Sequence, residues 1–244
     1  MSSVVSHYET HLAPIYIWMM GGIEHALSLG SSDLSLFLER PGVAVDLGAG
    51  FGMHSIPLAR AGFEVLAVDT SQLLLAELRR YGVGLALTAI EANLLEFAAY
   101  SRHPVDLILC MGDTLTHLQS VSQVKRLMQD VAKSLRPGGQ FVSTFRDYQD
   151  LPIGDGRFLP VRSDSERIHT CFLEAMPTRV LVHDIIHERV QAEWSMKVSS
   201  YKKLRLAPDT VVQAAMGAGM RCRIEPGPRG MVEIVAETCG AVTG

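Results

Sequence analysis

An apolar run, Val43-Ala44-Val45, leads directly into Asp46-Leu47-Gly48-Ala49-Gly50-Phe51-Gly52, and no other stretch of this 244-residue chain limits its fold so sharply. The pattern reads as a buried strand that breaks into a glycine turn and then opens a helix. Glycines at alternate positions strip Cβ atoms from one side of the turn and make positive φ inexpensive, so a ligand can lie against the backbone. A turn of this kind holds either a pyrophosphate or something cationic. In the dinucleotide fingerprint G-x-G-x-x-G, the third glycine lets the helix pack closely on the strand while the pyrophosphate rests on the helix N-terminus. Counted from Gly48 that third position is Met53, and counted from Gly50 it is Ser55. Neither register fits, and the carboxylate of Asp46 would repel a phosphate but attract an amino-bearing ligand.

The flanking sequence extends the unit. Residues His54 to Ala61 read as a helix whose Pro57 falls in the first turn, where an N–H has no intrahelical partner anyway. Gly62 ends it, and Glu64 to Val68 forms a second strand that delivers Asp69, 21 residues after Gly48. A carboxylate so placed accepts hydrogen bonds from ribose hydroxyls. The sum is a βαβ unit with a nucleoside site.

Alternation continues downstream. Ser71 is the expected N-cap of a helix over Gln72 to Tyr81. Leu85 to Ala92 and Pro104 to Met111 read as third and fourth strands, and apolar residues from Val121 to Leu135 recur at helical spacing. Pro137-Gly138-Gly139 stops that helix, and Gln140 to Phe145 is a fifth strand. Five strands with helical crossovers predict a doubly wound α/β sheet with its ligand at the carboxyl ends of the strands.

Beyond Phe145 the pattern changes. A loop over Asp150 to Pro160 precedes three extended stretches, Arg167 to Ala175, Thr178 to Glu188 and Gln191 to Leu204, which predict an inserted antiparallel β cover. In the third stretch Trp194, Met196 and Val198 alternate with Ser195, Lys197 and Ser199, which predicts that the apolar set is buried. Tyr201, Lys203 and Arg205 read as a solvated polar face. A helix from Pro208 to Ala218 and strands Arg221 to Glu225 and Val232 to Ala236 close the chain. The expected organisation is one domain: an N-terminal helical cover (1–40), a cofactor-binding core (41–149), the inserted strands (150–205) and the end of the sheet (206–244).

These landmarks, together with Leu135-Arg136-Pro137-Gly138-Gly139 ahead of a strand, resemble those of class I S-adenosyl-L-methionine-dependent methyltransferases over residues 41 to 145. The resemblance implies a Rossmann-like, seven-stranded, mostly parallel sheet with the last two strands as an antiparallel edge hairpin. It also implies S-adenosyl-L-methionine as cofactor. Backbone at Gly48, Ala49 and Gly50 would then approach the methionine part, with Asp46 near its amino group, while Asp69 and Thr70 border the ribose. Asn93 and Leu94 would flank the adenine, and Met111 with Gly112 would close the site after the fourth strand. The segment Met111 to Leu118 is partly similar to small-molecule methyltransferases of the glycine N-methyltransferase type.

Composition narrows the acceptor. The chain is 48% hydrophobic and 20% charged, with net charge −4 and no lysine or arginine run, so the electrostatic footprint of a nucleic-acid binder is missing. Cys110, Cys171, Cys222 and Cys239 include no C-x-x-C pair, which argues against a zinc site or a disulfide framework and for buried thiols in a reducing compartment. The most apolar N-terminal stretch, Ala13 to Ile23, is too short to span a bilayer, so a cytoplasmic location is expected. His183 and His187 would lie roughly 13 Å apart on one strand face, too far to share a metal. A homodimer is allowed for, with no membrane partner.

Methyl transfer from a sulfonium needs alignment in a dry site more than acid–base chemistry. Where the acceptor must lose a proton, His117 is the first candidate base, because its segment follows the fourth strand. Asp113, Arg146 and Tyr148 are candidate substrate contacts, and Tyr16 and Trp18 in the N-terminal cover are candidate cofactor or substrate contacts. The expected reaction is methyl transfer to a nitrogen or oxygen of a small molecule. The alternatives are a nucleotide-dependent oxidoreductase of the Rossmann class and a non-catalytic cofactor-binding subunit.

Overall fold

The computed structural model describes residues 4–101, 104–191 and 193–239. The outer limits of the expected cover and sheet end, 1–3 and 240–244, lie outside the described residues.

The chain begins with short helical turns, α1 (Val4–His7), Tyr8–Leu12, Ala13–Ile15 and α2 (Tyr16–Met19), and then α3 (Ile23–Asp33). The core follows as β1 (Val43–Leu47), α4 (Ser55–Arg60), β2 (Glu64–Asp69), α5 (Gln72–Tyr81), β3 (Leu87–Glu91), β4 (Val105–Cys110), α6 (Val121–Ser134) and β5 (Leu135–Phe145). Then come β6 (Phe158–Ser163), β7 (Arg167–Ala175), β8 (Arg179–Val190) and β9 (Glu193–Leu204), followed by α7 (Pro208–Gly217), β10 (Met220–Pro226) and β11 (Val232–Thr238).

Two sheets result. The larger has the order β10-β11-β5-β4-β1-β2-β3, parallel from β5 to β3 and antiparallel at the β10–β11 edge. Its central strands are buried on both faces, as the continuous apolar runs require. Two side chains set helix starts: Ser71 Oγ accepts from Leu74 N on α5, and Ser120 Oγ accepts from Gln123 N on α6. The stripe Val124, Leu127, Met128 and Val131 of α6 packs into the main core with Phe141 and Phe145. Strand order reverses between β4 and β1, so the loops after these two strands open a crevice at their carboxyl ends.

The second sheet, β6-β7-β8-β9, is antiparallel throughout. It departs from the sequence expectations in three ways. The loop predicted up to Pro160 gives way to β6 from Phe158, because Phe158 pairs with Phe172 and the two rings pack 4.7 Å apart. Trp194, Met196 and Val198 are 49%, 62% and 53% exposed, so the alternation is real but the apolar set points outward. The inner face instead carries Tyr201 and Lys203, which are buried rather than solvated. Among the cysteines only Cys110 is buried, Cys171 and Cys222 are half-buried, and Cys239 is exposed; all four thiols are free. Among the described residues no helix is long and apolar enough to cross a membrane.

Candidate active site

A cavity of about 680 Å³ lies between the carboxyl ends of the large sheet, the N-terminal turns and the inner face of the second sheet. Its floor is the loop after β1. Gly48, Gly50 and Gly52 all take positive φ, at 75°, 54° and 91°. Gly48 N and Ala49 N donate to Val68 O at 2.8 and 3.1 Å, which ties the loop to β2. A Cβ on Gly50 would meet only Leu74 Cδ1 at 3.7 Å, and one on Gly112 would meet nothing within 4 Å. The space beside both is therefore open to a ligand.

Asp69, at the end of β2, accepts from Gly50 N on one carboxylate oxygen and from Ser71 N on the other, both at 2.8 Å. Burial raises its pKa, and these backbone donors act against that rise. Glu9 reaches over from the N-terminal turns. Its carboxylate accepts from Ser71 Oγ at 2.5 Å and from Leu73 N at 3.2 Å, so it fastens those turns to the start of α5. Tyr16 packs on Phe51 with ring centroids 5.9 Å apart.

The opposite wall is polar, with Asp113 and Lys203 buried in it. Asp113 sits in the left-handed region at φ 72°, held by its N–H on Thr144 O at 3.0 Å. Its carboxylate accepts from Arg146 N at 2.7 Å, from Arg146 Nη1 at 2.5 Å and from Lys203 Nζ at 2.9 Å. Burial alone would raise the Asp113 pKa, yet Lys203 and Arg146 hold it well below the usual carboxylate range. Burial opposes the charge on Lys203 as well, and Asp113 more than restores it. Lys203 Nζ also lies 5.8 Å from the ring centroids of Tyr148 and Tyr201.

His117 stacks on Tyr201 with centroids 5.6 Å apart, and its Nε2 lies 3.3 Å from Tyr8 Oη. Burial, and then the Lys203 ammonium, pull its pKa down to about 3. The ring is neutral, and its Nδ1 is buried without a partner.

Of the residues singled out by sequence, the cavity wall brings together Tyr16, Gly48, Ala49, Gly50, Asp69, Thr70, Asn93, Leu94 and, across from them, Met111, Gly112, Asp113, His117, Arg146 and Tyr148. Two residues stand apart from the wall. Asp46 is 1% exposed and accepts from Ser55 Oγ at 2.5 Å, so it braces the start of α4 beneath the loop. Trp18 turns its indole N–H to Asp164 at 2.5 Å, outside the wall. Sequence reasoning missed Tyr8, Glu9, Tyr201, Lys203, His169, Cys171 and Asp184. A period of two over Tyr201, Lys203 and Arg205 was the available signal, and it marks the face but not which side is wet.

Residues 44–139 match the family model described as "Methyltransferase domain". The glycine/sarcosine N-methyltransferase of Halorhodospira halochloris is 28% identical over 111 residues, 44% of this chain and 41% of that relative. The matched region thus spans less than half of that relative's length. Among solved structures, the CcbJ methyltransferase from Streptomyces caelestis superposes with TM-score 0.76 at 19% identity, over 96% of this chain and 98% of that one. SAM-bound CalS10, an amino pentose methyltransferase from Micromonospora echinaspora, gives 0.70 at 16% identity over 92% and 95%. Over residues 44–139 the glycine loop and the matched model agree on a methyltransferase domain, and the whole chain shares the fold of these solved methyltransferases.

Proposed function

We propose that the protein transfers a methyl group from S-adenosyl-L-methionine to a nitrogen or oxygen of a small molecule. The observation that carries this reading is the cavity itself: one wall presents the glycine loop and Asp69, and the other presents buried polar side chains around Asp113. When bound, the cofactor supplies an electrophilic methyl group on a sulfonium. Gly48 to Gly50 would give it backbone to lie against, Asp69 and Thr70 would border its ribose, Asn93 and Leu94 would flank its adenine, and Met111 with Gly112 would close the site. Asp46 acts from beneath, through the helix start that it braces and its charge near the loop. Tyr16 lines the cavity, and Glu9 ties the N-terminal turns that carry it to the start of α5.

The acceptor lies against the Asp113 wall. Arg146 and Lys203 together outweigh the single charge of Asp113, so this wall favours an acceptor with a carboxylate or another electron-rich group. Tyr148 adds a hydroxyl to the same wall. A neutral His117 is a poor proton acceptor at a pKa of about 3, and its part is to shape the acceptor wall through its stacking on Tyr201 and its Nε2 contact with Tyr8 Oη. The similarity to enzymes named for glycine, sarcosine and an amino pentose supports an amine acceptor. Free thiols accord with a cytoplasmic location. The outward face of Trp194, Met196 and Val198 supports a homodimer.

Calorimetry with S-adenosylhomocysteine and with NADH, followed by incubation of a metabolite extract with methyl-labelled cofactor, tests the reading. Binding of the first ligand with label appearing in a small molecule is expected. Binding of NADH alone would establish the oxidoreductase alternative, and S-adenosylhomocysteine binding without label transfer the non-catalytic one.

A further inference from the structure

Arg229, in the turn between β10 and β11, is a residue other than glycine with positive φ, at 55°. A side chain of this size takes that conformation only where its surroundings impose it, and such positions cluster around bound ligands. The Arg229 side chain is 33% exposed and forms part of the cavity wall. Its Nη1 and Nη2 donate to the two carboxylate oxygens of Asp33 at 3.0 and 2.7 Å. That pair occupies the outer end of the guanidinium. The side edge, made by Nε–H and the second N–H of Nη2, meets no acceptor among the described residues. Those two N–H groups are parallel in a rigid plane, the spacing that a second carboxylate accepts.

Neighbouring contacts place this edge beside the glycine loop. Asp33 is the last residue of α3, and its Oδ2, which Arg229 Nη2 binds, also accepts from His54 Nε2 at 3.1 Å. His54 is the residue from which α4 starts, directly after the loop. Met53 is locked against the same helix, since a Cβ on Gly30 would fall 1.9 Å from Met53 O. Three segments distant in sequence therefore close one corner of the cavity around the loop that follows β1.

Strand order decides which part of a ligand meets that corner. Asn93 and Leu94 follow β3 at one edge of the sheet, Asp69 ends the adjacent β2, and the glycine loop follows β1. A nucleoside laid along these loops in that order carries its tail past β1. Arg229 arrives from the opposite edge, through the β10–β11 turn. Asp69 and Glu9 make the ribose end acidic, and Asp46 lies beneath the loop, so these groups attract the ammonium of an amino-acid tail and repel its carboxylate. Arg146 and Lys203 stand on the other wall with Asp113, which leaves Arg229 as the cation on the glycine-loop side among the described residues.

We propose that Arg229 is a cofactor-specificity residue: its free Nε and Nη2 edge receives the carboxylate of the cofactor's amino-acid tail, and Asp33 positions the guanidinium for it. The inference rests on the methyltransferase reading. One guanidinium then bridges two carboxylates, each through a parallel pair of N–H bonds, with His54 holding Asp33 from its other side. Such a corner selects a nucleoside with an amino-acid tail over one with a bare amine tail.

Calorimetry with S-adenosylhomocysteine and with its decarboxylated analogue, which keeps the ammonium, tests this as a cycle against R229M. The wild type is expected to prefer S-adenosylhomocysteine roughly 10- to 100-fold, and R229M to lose that preference while binding the analogue as the wild type does. A variant that is partly unfolded weakens both ligands by one factor, so the ratio of the two affinities is the readout. R229K keeps a cation beside Asp33 but has no second edge, and it is expected to show a ratio between those of wild type and R229M; if R229M does not fold, R229K decides by the same ratio. A wild-type ratio in the variant overturns the inference alone, as does a wild type that binds the two ligands equally. A wild type that binds neither overturns the reading beneath it.

Discussion

Lys203 Nζ donates to Asp113 Oδ2 across 2.9 Å, with only 6% and 2% of the two residues exposed. This single bond joins the last inserted strand to the loop after β4. It therefore couples the cover to the sheet at the point where the two halves of the cavity meet. Beside it His117 stacks on Tyr201 and Tyr8 meets both rings edge-on, so the acceptor wall is assembled from three segments far apart in sequence.

Removing the two partners has unequal effects. Asp113→Asn leaves Lys203 as a buried cation without its counter-charge, at a cost of roughly 3 to 5 kcal/mol. Asn tolerates the left-handed backbone at this position, so the change isolates the charge. Lys203→Met leaves Asp113 paired with Arg146 and is expected to cost less. Urea denaturation of the two variants checks the order, and a larger loss for K203M would refute the account.

The glycine loop makes a similar contrast. A Cβ on Gly48 would fall 2.4 Å from Thr114 Cγ2, while one on Gly50 would clear every protein atom by 3.7 Å. Both substitutions to alanine incur roughly 1 to 2 kcal/mol for the left-handed backbone, and Gly48→Ala adds roughly 1 to 3 kcal/mol of overpacking. G48A should thus melt well below G50A. G50A should fold yet bind S-adenosylhomocysteine more weakly, because its new methyl occupies ligand space.

Asp69→Asn replaces two acceptor oxygens with one oxygen and one amide, although the backbone N–H groups of Gly50 and Ser71 claim both positions. One donor loses its partner, and a hydroxyl of the bound ribose would face a donor instead of an acceptor. Calorimetry is expected to show S-adenosylhomocysteine affinity reduced roughly 10- to 100-fold, equivalent to about 1 to 3 kcal/mol. Unchanged affinity would remove Asp69 from the ribose site.

The contrast between legible and hidden residues has a physical basis. Gly48, Gly50 and Asp69 belong to a local βαβ unit, where strand period, turn chemistry and helix capping are all written within thirty residues. Lys203 and Tyr201 belong to a strand whose two faces both carry mixed side chains, and a period of two cannot say which face meets the cavity. Trp194, Met196 and Val198 therefore read as the inner set, when the inner set is the one that buries Asp184 and Lys203. His169 and Asp184 meet only through cross-strand pairing of β7 with β8, a register that the sequence alone does not fix. The buried charges are paired, which is what lets polar residues occupy an interior face.

The depressed basicity of His117 also makes stability depend on pH. Burial and Lys203 lower its folded pKa to about 3, against 6.5 when exposed. Between these values the unfolded chain binds a proton that the folded chain does not, so stability is fully present above pH 6.5 and falls as the pH drops toward 3. The loss from this residue amounts to about 3 kcal/mol between pH 6.5 and 4. Asp113 and Asp184, whose folded pKa values lie below the usual 3.8, lose their contributions only at lower pH and leave this window clear. His11, also lowered, adds a slope of the same sign, but it is common to wild type and variant. His117→Gln is neutral throughout, so the stability difference between wild type and H117Q should shrink on acidification from pH 6.5 to 4. Urea denaturation at half-unit pH steps measures that difference; a constant gap would mean that His117 is already free to take a proton in the folded protein, and would return it to contention as the base.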